Sequence, residues 1–413
     1  MSDEFLDCEG FINKTERKNL LFVCRLFDLG GIRASLMSLI NSVYKKYDIS
    51  IVVLSERISD DDIRYFRNRY VKMINAGLIL NLIYTPGEYY KEKKKSLKLA
   101  LKALTKINCK LFTEKCFVRM SMKKISKQLS DKNFDVVISF TNDIWVDGWC
   151  MPGCNYLVST IKTYQRIGWI HAAVDYLGLT HDNLKETYHN YDKVICVSDA
   201  CKSELLDTCP ELNGKVYTCH NMVDKDRLDF LKNQSIENRY IRNGVFRIIT
   251  VARIELRSKR QDRIVNIAGM LKKKGISFVW YLVGGGMDYD KVHMMVEKAG
   301  LADKIIMTGM KDNPYSLMTY SDLFVLTSDT ESFGIVLKES IMCGTPVITT
   351  DFPAAGEVVE NKVNGYIVPM DNRAIFDKIC SVIDNRKDLE RLSKNCMNYV
   401  DIGMTEFEDM IGG

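Results

Sequence analysis

The chain has 413 residues, of which 46% are apolar and 27% charged, with seven prolines and a net charge of +5. Those values are typical of folded globular chains, and they exclude intrinsic disorder, a fibrous repeat and a disulfide scaffold. At about 150 residues per domain, the length predicts two to three domains. Apolar runs such as Leu323-Phe324-Val325-Leu326 are far shorter than the roughly 20 residues a membrane span needs. The start, Met1-Ser2-Asp3-Glu4, is acidic rather than basic and then apolar, so the expectation is a cytosolic chain without a secretory signal. The 13 cysteines are odd in number and irregularly spaced. Cys24 and Cys196 sit inside apolar runs, and Cys150 and Cys154 lack a second pair at zinc-finger spacing. Reduced, buried thiols are the expected state.

Short apolar runs alternate with helical stretches along the chain. The predicted strands of the first half are Leu20 to Cys24, Ile49 to Leu54, Leu80 to Tyr84, Asp135 to Phe140, Ile167 to Ile170, Val194 to Val197 and Val216 to Cys219. Asp60-Asp61-Asp62 reads as a polar loop. Between Lys91 and Lys127, 12 Lys and one Arg stand against Glu92 and Glu114, so this segment alone carries 13 − 2 = +11. The rest of the chain is therefore negative, which argues against a general nucleic-acid binder. Lys94, Lys98, Lys102, Lys106 and Lys110 recur every fourth residue and would cover roughly 160° of a helix. Leu97, Leu101, Leu104 and Ile107 fall on the other side. That pattern suits an element lying on an anionic membrane surface; a solvated helix with its leucines toward the core fits it equally.

After a polar, Asn-containing stretch the alternation restarts. Phe246 to Val251, Ser277 to Val283, Ile305 to Thr308, Leu323 to Thr327, Val347 to Thr350 and Tyr366 to Val368 are the second set of predicted strands. Continuous Val/Ile/Leu runs separated by helical stretches read as buried parallel strands. The expected organisation is a first α/β domain at 1–225, a linker at 226–245, a second at 246–395 and a tail at 396–413 that returns to the first. Each is a doubly wound parallel sheet, and such sheets bind ligands at the carboxyl ends of their strands.

The residues at those strand ends are informative. Gly30-Gly31 leads into a helical pattern, where backbone amides can face an anion; a plain tight turn fits as well. Arg253 and Lys259 follow the first strand of the second domain, suitable for a diphosphate. Gly284-Gly285-Gly286 is a tight turn and not the Gly-x-Gly-x-x-Gly fingerprint. The strongest segment is Glu331-Ser332-Phe333-Gly334-Ile335-Val336-Leu337-Lys338-Glu339. It follows a strand and opens a helix, with Glu331 at the loop before the helix and Glu339, eight residues on, expected about two turns into it. The amides of Phe333, Gly334 and Ile335 stand at the positive end of the helix dipole.

This segment resembles the Glu-x7-Glu motif of the family 4 retaining glycosyltransferases, the group 1 enzymes. The resemblance implies the GT-B architecture, two facing Rossmann-like domains with a cleft between them. Arg253 and Lys259 match the family's diphosphate-binding pair, and Thr308-Gly309-Met310 the loop near the nucleotide base. Gly344-Thr345-Pro346 and Gly356-Glu357-Val358-Val359 with Gly365 are similar to its closing motifs. In the first domain Gly30-Gly31 matches a phosphate-facing loop, and Trp169-Ile170-His171 a strand end with an active-site His. Val197-Ser198 and Asn221 are weaker landmarks. The chain departs from the family at Met287, often Pro, and at Arg260, often Gly.

The resemblance implies transfer of a sugar from a nucleotide donor, a UDP-sugar, to a glycan or lipid-linked acceptor in bacterial surface polysaccharide synthesis. It implies retention by a front-face reaction, with Glu331, Arg253, Lys259 and His171 at the reacting atoms. Gly30, Gly31, Met310, Phe333, Gly334, Ile335 and Glu339 would bind the donor. No metal and no cofactor are expected, the nucleotide-sugar being a substrate. A nucleotide-sugar 2-epimerase of the same architecture, or a nucleotide-binding partner subunit without activity, fits the same motifs.

Overall fold

Runs of branched apolar residues ending in polar turns form strands covered on both faces, as parallel sheets require. The computed structural model describes residues 17–25, 30–111, 114–141, 145–146, 149–150 and 153–412. Its strands are β1 (Asn19–Cys24), β2 (Asp48–Val53), β3 (Lys72–Asn75), β4 (Phe134–Ser139), β5 (Trp145–Val146), β6 (Trp149–Cys150), β7 (Thr163–Ile170), β8 (Lys193–Cys196) and β9 (Val216–Thr218). Then follow β10 (Phe246–Val251), β11 (Phe278–Val283), β12 (Ile305–Gly309), β13 (Leu323–Leu326), β14 (Val347–Thr350) and β15 (Gly365–Val368). Seven strands form one sheet in the order β3-β2-β1-β4-β7-β8-β9, and six form another in the order β12-β11-β10-β13-β14-β15. The pairings in both sheets are parallel. β5 and β6 make a separate antiparallel pair. In each large sheet the order reverses beside the domain's first strand, at β1/β4 and at β10/β13. A crevice opens at such a switch point. These are the two Rossmann-like domains of the GT-B architecture.

The domains touch. Ser198 Oγ, after β8, donates to the Ser332 carbonyl at 2.7 Å. The last helix, Gly403–Gly412, lies on the first domain: Lys18 Nζ donates to the Ile411 carbonyl at 2.6 Å, and Lys193 donates to that of Met410. Its Phe407 ring packs 6.1 Å from Trp169. The polar stretch 226–245 holds most of the helix Lys225–Lys232 and the single turn Asn238–Tyr240.

Three expectations are corrected. Leu80 to Tyr84 is not a strand but part of the helix Leu78–Tyr84, entered through Gly77 at φ 85°. A short apolar run reads alike as strand or buried helix. The edge strand is instead β3, whose Lys72, Met73 and Asn75 are exposed and carry no apolar alternation. Asp60-Asp61-Asp62 is not a loop but the first turn of the helix Asp60–Arg67. Ser59 caps it by accepting from Asp62 N at 3.1 Å, and buried Asp62 pairs with Arg33. Three acids at a helix N-terminus also suit its dipole.

The basic helix is the third correction. It spans Ser96–Leu111, so Lys94 precedes it, at a left-handed φ of 52°. Lys102 is only 9% exposed, whereas Leu97 is 75% exposed, the reverse of the expected faces. The cause is the neighbouring helix end: Lys102 Nζ donates to the carbonyls of Leu82 at 2.6 Å and Ile83 at 3.1 Å. Those carbonyls lack intrahelical donors, and an ammonium supplies them. Lys98 turns to Glu56 at 2.5 Å. The side chains of Leu104, Lys106, Ile107, Lys110 and Cys150, and residues 1–4, lie outside the described residues.

Candidate functional site

β10 and β13 are neighbours, so the loops that leave their carboxyl ends face one another. Backbone and side chains tie them together. Thr327 Oγ1 donates to the Lys259 carbonyl at 3.0 Å, and Asp329 N to the Ser258 carbonyl at 2.8 Å. Arg260, left-handed at φ 52°, braces the junction by pairing with Asp262 and Asp329 at 2.9 and 2.7 Å. These pairs keep an Arg at a conformation that favours Gly. The result is an ion pair across the switch point: Lys259 Nζ stands 2.6 Å from Glu331 Oε2, and Ser328 Oγ donates to Glu331 Oε1 at 2.8 Å. Arg253 lies exposed on the same loop as Lys259.

The triple-glycine turn after β11 positions Arg253. A Cβ on Gly284 would lie 1.9 Å from the Ala252 carbonyl oxygen, and one on Gly286 would lie 2.2 Å from that of Ile254. Ile254 N donates to the Gly285 carbonyl at 2.9 Å. The glycines are therefore needed for backbone to lie on backbone around Arg253. Met310, after β12, is exposed, and its side chain lies over Gly285.

The helix Ile335–Met342 starts from Gly334 at φ 81°, a conformation that favours glycine. Leu337 N donates to the Gly334 carbonyl at 2.8 Å, while the amides before it, at the very start of the helix, have no intrahelical acceptor. The Phe333 side chain is buried, 5.3 Å from the His220 ring, so its backbone is what it offers to a ligand at the switch point. Glu339 lies one turn into the helix rather than the expected two, because the helix begins only at Ile335, and it accepts from Tyr315 OH at 2.8 Å. Burial pushes the Glu339 carboxyl up to about 7, against the pull of that hydrogen bond and of Arg227.

The first domain closes over this helix start. A Cβ on Gly31 would sit 4.0 Å from Ile335 Cγ2, so the Gly30-Gly31 turn faces the Glu-x7-Glu segment. His171, just past β7, is buried, with ring centroids 4.6 Å from Phe140 and 5.8 Å from Trp169. Burial drives its pKa down to about 3, so the imidazole is neutral at physiological pH. The structure thus gathers Arg253, Lys259, Glu331, Gly334 and Ile335 at one switch point with Gly31 opposite, and sets His171 in an aromatic nest of the first domain.

Sequence reasoning missed Tyr315, Ser328 and His220. Ser328 was open to detection, being three residues before Glu331; the others meet their partners only through folding. His220 lies between Glu357 and Glu406, at 3.0 and 2.7 Å. A cavity of about 460 Å³ opens beside it, lined by Phe333, Lys338, Glu357, Asn364 and Tyr399 among others, with none of Arg253, Lys259 and Glu331 in its wall. Two clusters among the described residues bring three metal-ligating side chains together: His181, Cys209 and Glu211, and Asp199, His220 and Glu357. In both, the histidine already bonds to the glutamate of its cluster.

The architecture and this site define a two-domain GT-B protein with an anion-suited crevice. Residues 232–398 match the family model of glycosyl transferases group 1. Among curated relatives, N-acetyl-alpha-D-glucosaminyl L-malate synthase of Bacillus anthracis is 25% identical over 197 residues, 46% of this chain and 51% of that protein. Poly(ribitol-phosphate) alpha-N-acetylglucosaminyltransferase of Staphylococcus aureus (strain COL) is 23% identical over 230 residues, 52% of this chain and 45% of that one. The chain spans about half the length of the curated relatives it matches. Solved structures match along nearly all of it. A glycosyltransferase from Rickettsia africae aligns with TM-score 0.69 at 17% identity, over 96% of this chain and 97% of that one. Anabaena HepE in complex with UDP-glucose aligns with TM-score 0.68 at 15% identity, over 95% and 98%. No helix among the described residues is long and apolar enough to cross a membrane.

Proposed function

We propose that this chain is a retaining glycosyltransferase that moves a sugar from a UDP-sugar to a glycan or lipid-linked acceptor in bacterial surface polysaccharide synthesis. The observation that carries the reading is the Lys259–Glu331 pair beside free helix amides at the β10/β13 switch point, within the segment that matches the group 1 model. The UDP-bound structural neighbours and the relative named as an alpha-N-acetylglucosaminyltransferase support the donor class.

In this mechanism the donor diphosphate lies between Arg253, Lys259 and the amides of Phe333, Gly334 and Ile335. These groups meet the charge that develops as the anomeric carbon–oxygen bond breaks. The acceptor hydroxyl attacks from the face that the diphosphate leaves, and its proton passes to a diphosphate oxygen. A new glycosidic bond forms with the same anomeric configuration. Glu331, drawn away from Lys259, holds a hydroxyl of the transferred sugar. Glu339 accepts from the ribose, Met310 flanks the base, and the Gly30-Gly31 turn approaches the phosphates. Neutral His171 offers a hydrogen bond rather than a charge. The reaction needs no metal ion. Basic residues of 91–127 bring the protein to an anionic membrane that carries the acceptor.

A panel of nucleotide-sugars tests this reading, with the product anomer read by NMR. Turnover with retention, unaffected by chelator, is expected. Inversion, or no consumption of any donor, overturns it. Arg253→Ala and Lys259→Ala should each lower turnover on the order of 100-fold, by analogy with loss of an oxyanion donor.

A further inference from the structure

We propose that Tyr315 is a positioning residue for donor affinity: its hydroxyl holds one oxygen of the Glu339 carboxylate and leaves the other for the nucleoside hydroxyls of the donor. This rests on the reading of Glu339 as the ribose acceptor. Three helices converge on the carboxylate. Glu339 lies on Ile335–Met342, Tyr315 opens Tyr315–Tyr320, and Arg227 lies on Lys225–Lys232. The tyrosine is itself held in place. Its backbone N–H donates to Asn313 Oδ1 at 3.1 Å, and Asn313 Nδ2 donates to the Leu231 carbonyl at 2.9 Å. The 2.8 Å bond to Glu339 Oε1 is therefore made from a backbone that Asn313 anchors to the neighbouring helix.

The chemistry follows from burial. A carboxylate in this position is costly to ionise, and burial lifts Glu339 to about 7. Two groups oppose that rise, the Tyr315 hydroxyl and the Arg227 charge. Cys343, just past the helix, feels the Glu339 charge, with Lys232 and Asp229 acting on it from the neighbouring helix. Tyr315 is pushed well above its ordinary pKa, first by burial, and stays a hydrogen-bond donor at every working pH. Without it the carboxyl protonates more readily and is free to rotate. A protonated Glu339 is a poorer acceptor for a ribose hydroxyl, so donor affinity falls as pH drops through about 7.

The test is UDP titration of the whole chain by calorimetry from pH 5.5 to 9, for wild type, Tyr315→Phe and Glu339→Gln. Tyr315→Phe should raise the UDP Kd about tenfold at pH 7, the scale of one hydrogen bond to a charged group. The deficit should shrink at pH 9, where the carboxylate is ionised in both. Turnover at saturating donor should be unchanged. 2′,3′-dideoxy-UDP carries the same diphosphate and its titration but lacks the hydroxyls, so the two proteins should bind it alike. Equal UDP affinity of Tyr315→Phe and wild type at every pH overturns the proposal and leaves the donor reading standing. Absence of UDP binding by wild type, or wild-type affinity in Glu339→Gln, overturns the donor reading instead. Parallel, pH-independent losses of Tm and affinity mark Tyr315 as packing only and also overturn the proposal. If Tyr315→Phe does not fold, the wild-type profile decides: UDP affinity rising between pH 6 and 8 beyond that of the dideoxy analogue supports the proposal, and parallel profiles overturn it.

Discussion

His220, in the first domain, bonds through Nε2 to Glu357 Oε2 of the second domain at 3.0 Å. The same glutamate caps a helix of the first domain, accepting from Asp199 N at 2.7 Å and Ala200 N at 2.9 Å. The other ring nitrogen of His220 bonds to Glu406, on the last helix, at 2.7 Å. One imidazole thus joins the two domains and the returning chain end. Burial opposes its charge, but Glu357 and Glu406 outweigh burial and lift its pKa to about 9.

Stability therefore depends on the charge of His220. A group whose folded pKa is raised contributes fully below its unfolded value, here about 6.5, and the contribution is lost as pH rises through about 9. His220→Ala should lower stability by about 1.5–3 kcal/mol near pH 6, the scale of hydrogen bonds to charged groups. Melting curves of both proteins from pH 6 to 10 check this. The gap between them should narrow toward pH 10; a constant gap would mean that neutral packing, not the ionic link, holds the domains.

The two glutamates of the Glu-x7-Glu segment should separate kinetically. Glu339→Gln weakens an interaction similar in ground and transition states, and so raises the donor KM. Glu331→Gln should mainly lower kcat, because orienting the anomeric carbon matters most as the bond breaks. Its loss also frees Lys259 from a 2.6 Å pair, so UDP affinity should not fall. Steady-state kinetics beside UDP binding decide the matter. Loss of UDP binding as severe in Glu331→Gln as in Glu339→Gln would show the roles to be misassigned.

The lysines of 91–127 should divide by burial. Lys102→Glu would place a carboxylate against the carbonyls of Leu82 and Ile83. A buried, uncompensated charge of that kind costs about 3–5 kcal/mol, so the variant should melt early. Lys91→Glu, Lys93→Glu and Lys94→Glu, all at exposed positions, should leave Tm unchanged. If the segment docks on a membrane, these three should weaken binding to anionic vesicles, and added salt should mimic them. Vesicle binding indifferent to both salt and charge reversal would remove the membrane from the mechanism.

Gly286→Ala probes the loop that carries Arg253. Its Cβ would lie 2.2 Å from the Ile254 carbonyl oxygen, so one backbone must move. Overpacking of this sort costs about 1–3 kcal/mol. The expected result is a lower Tm together with weaker UDP binding, although Gly286 has no side chain to touch a ligand. Retained affinity would indicate that Arg253 does not need the present loop geometry.

The strands of the second domain were legible because each is a continuous apolar run closed by polar turns. Phe246–Val251 and Val347–Thr350 appear in the structure with the bounds read from sequence. The strand-end residues Arg253, Lys259 and Glu331 were legible too, since in a parallel sheet the loops after the strands all emerge on one edge. Leu80 to Tyr84 was misread because a short run, four apolar residues broken by Asn81, satisfies a strand and a helix equally. Lys102 was misread because helical periodicity fixes relative directions around an axis, while which direction is inward depends on what packs there. Here a neighbouring helix end, with carbonyls in need of donors, turned a lysine toward the core and left Leu97 in solvent. His220 and Glu357 lie 137 residues apart, and Tyr315 and Glu339 lie 24 apart. No local pattern links either pair. Composition and periodicity determined the elements and the chemistry at their ends; the packing of helices on the two sheets decided which side chains meet, because a hydrogen bond forms only where the fold holds donor and acceptor atoms about 3 Å apart.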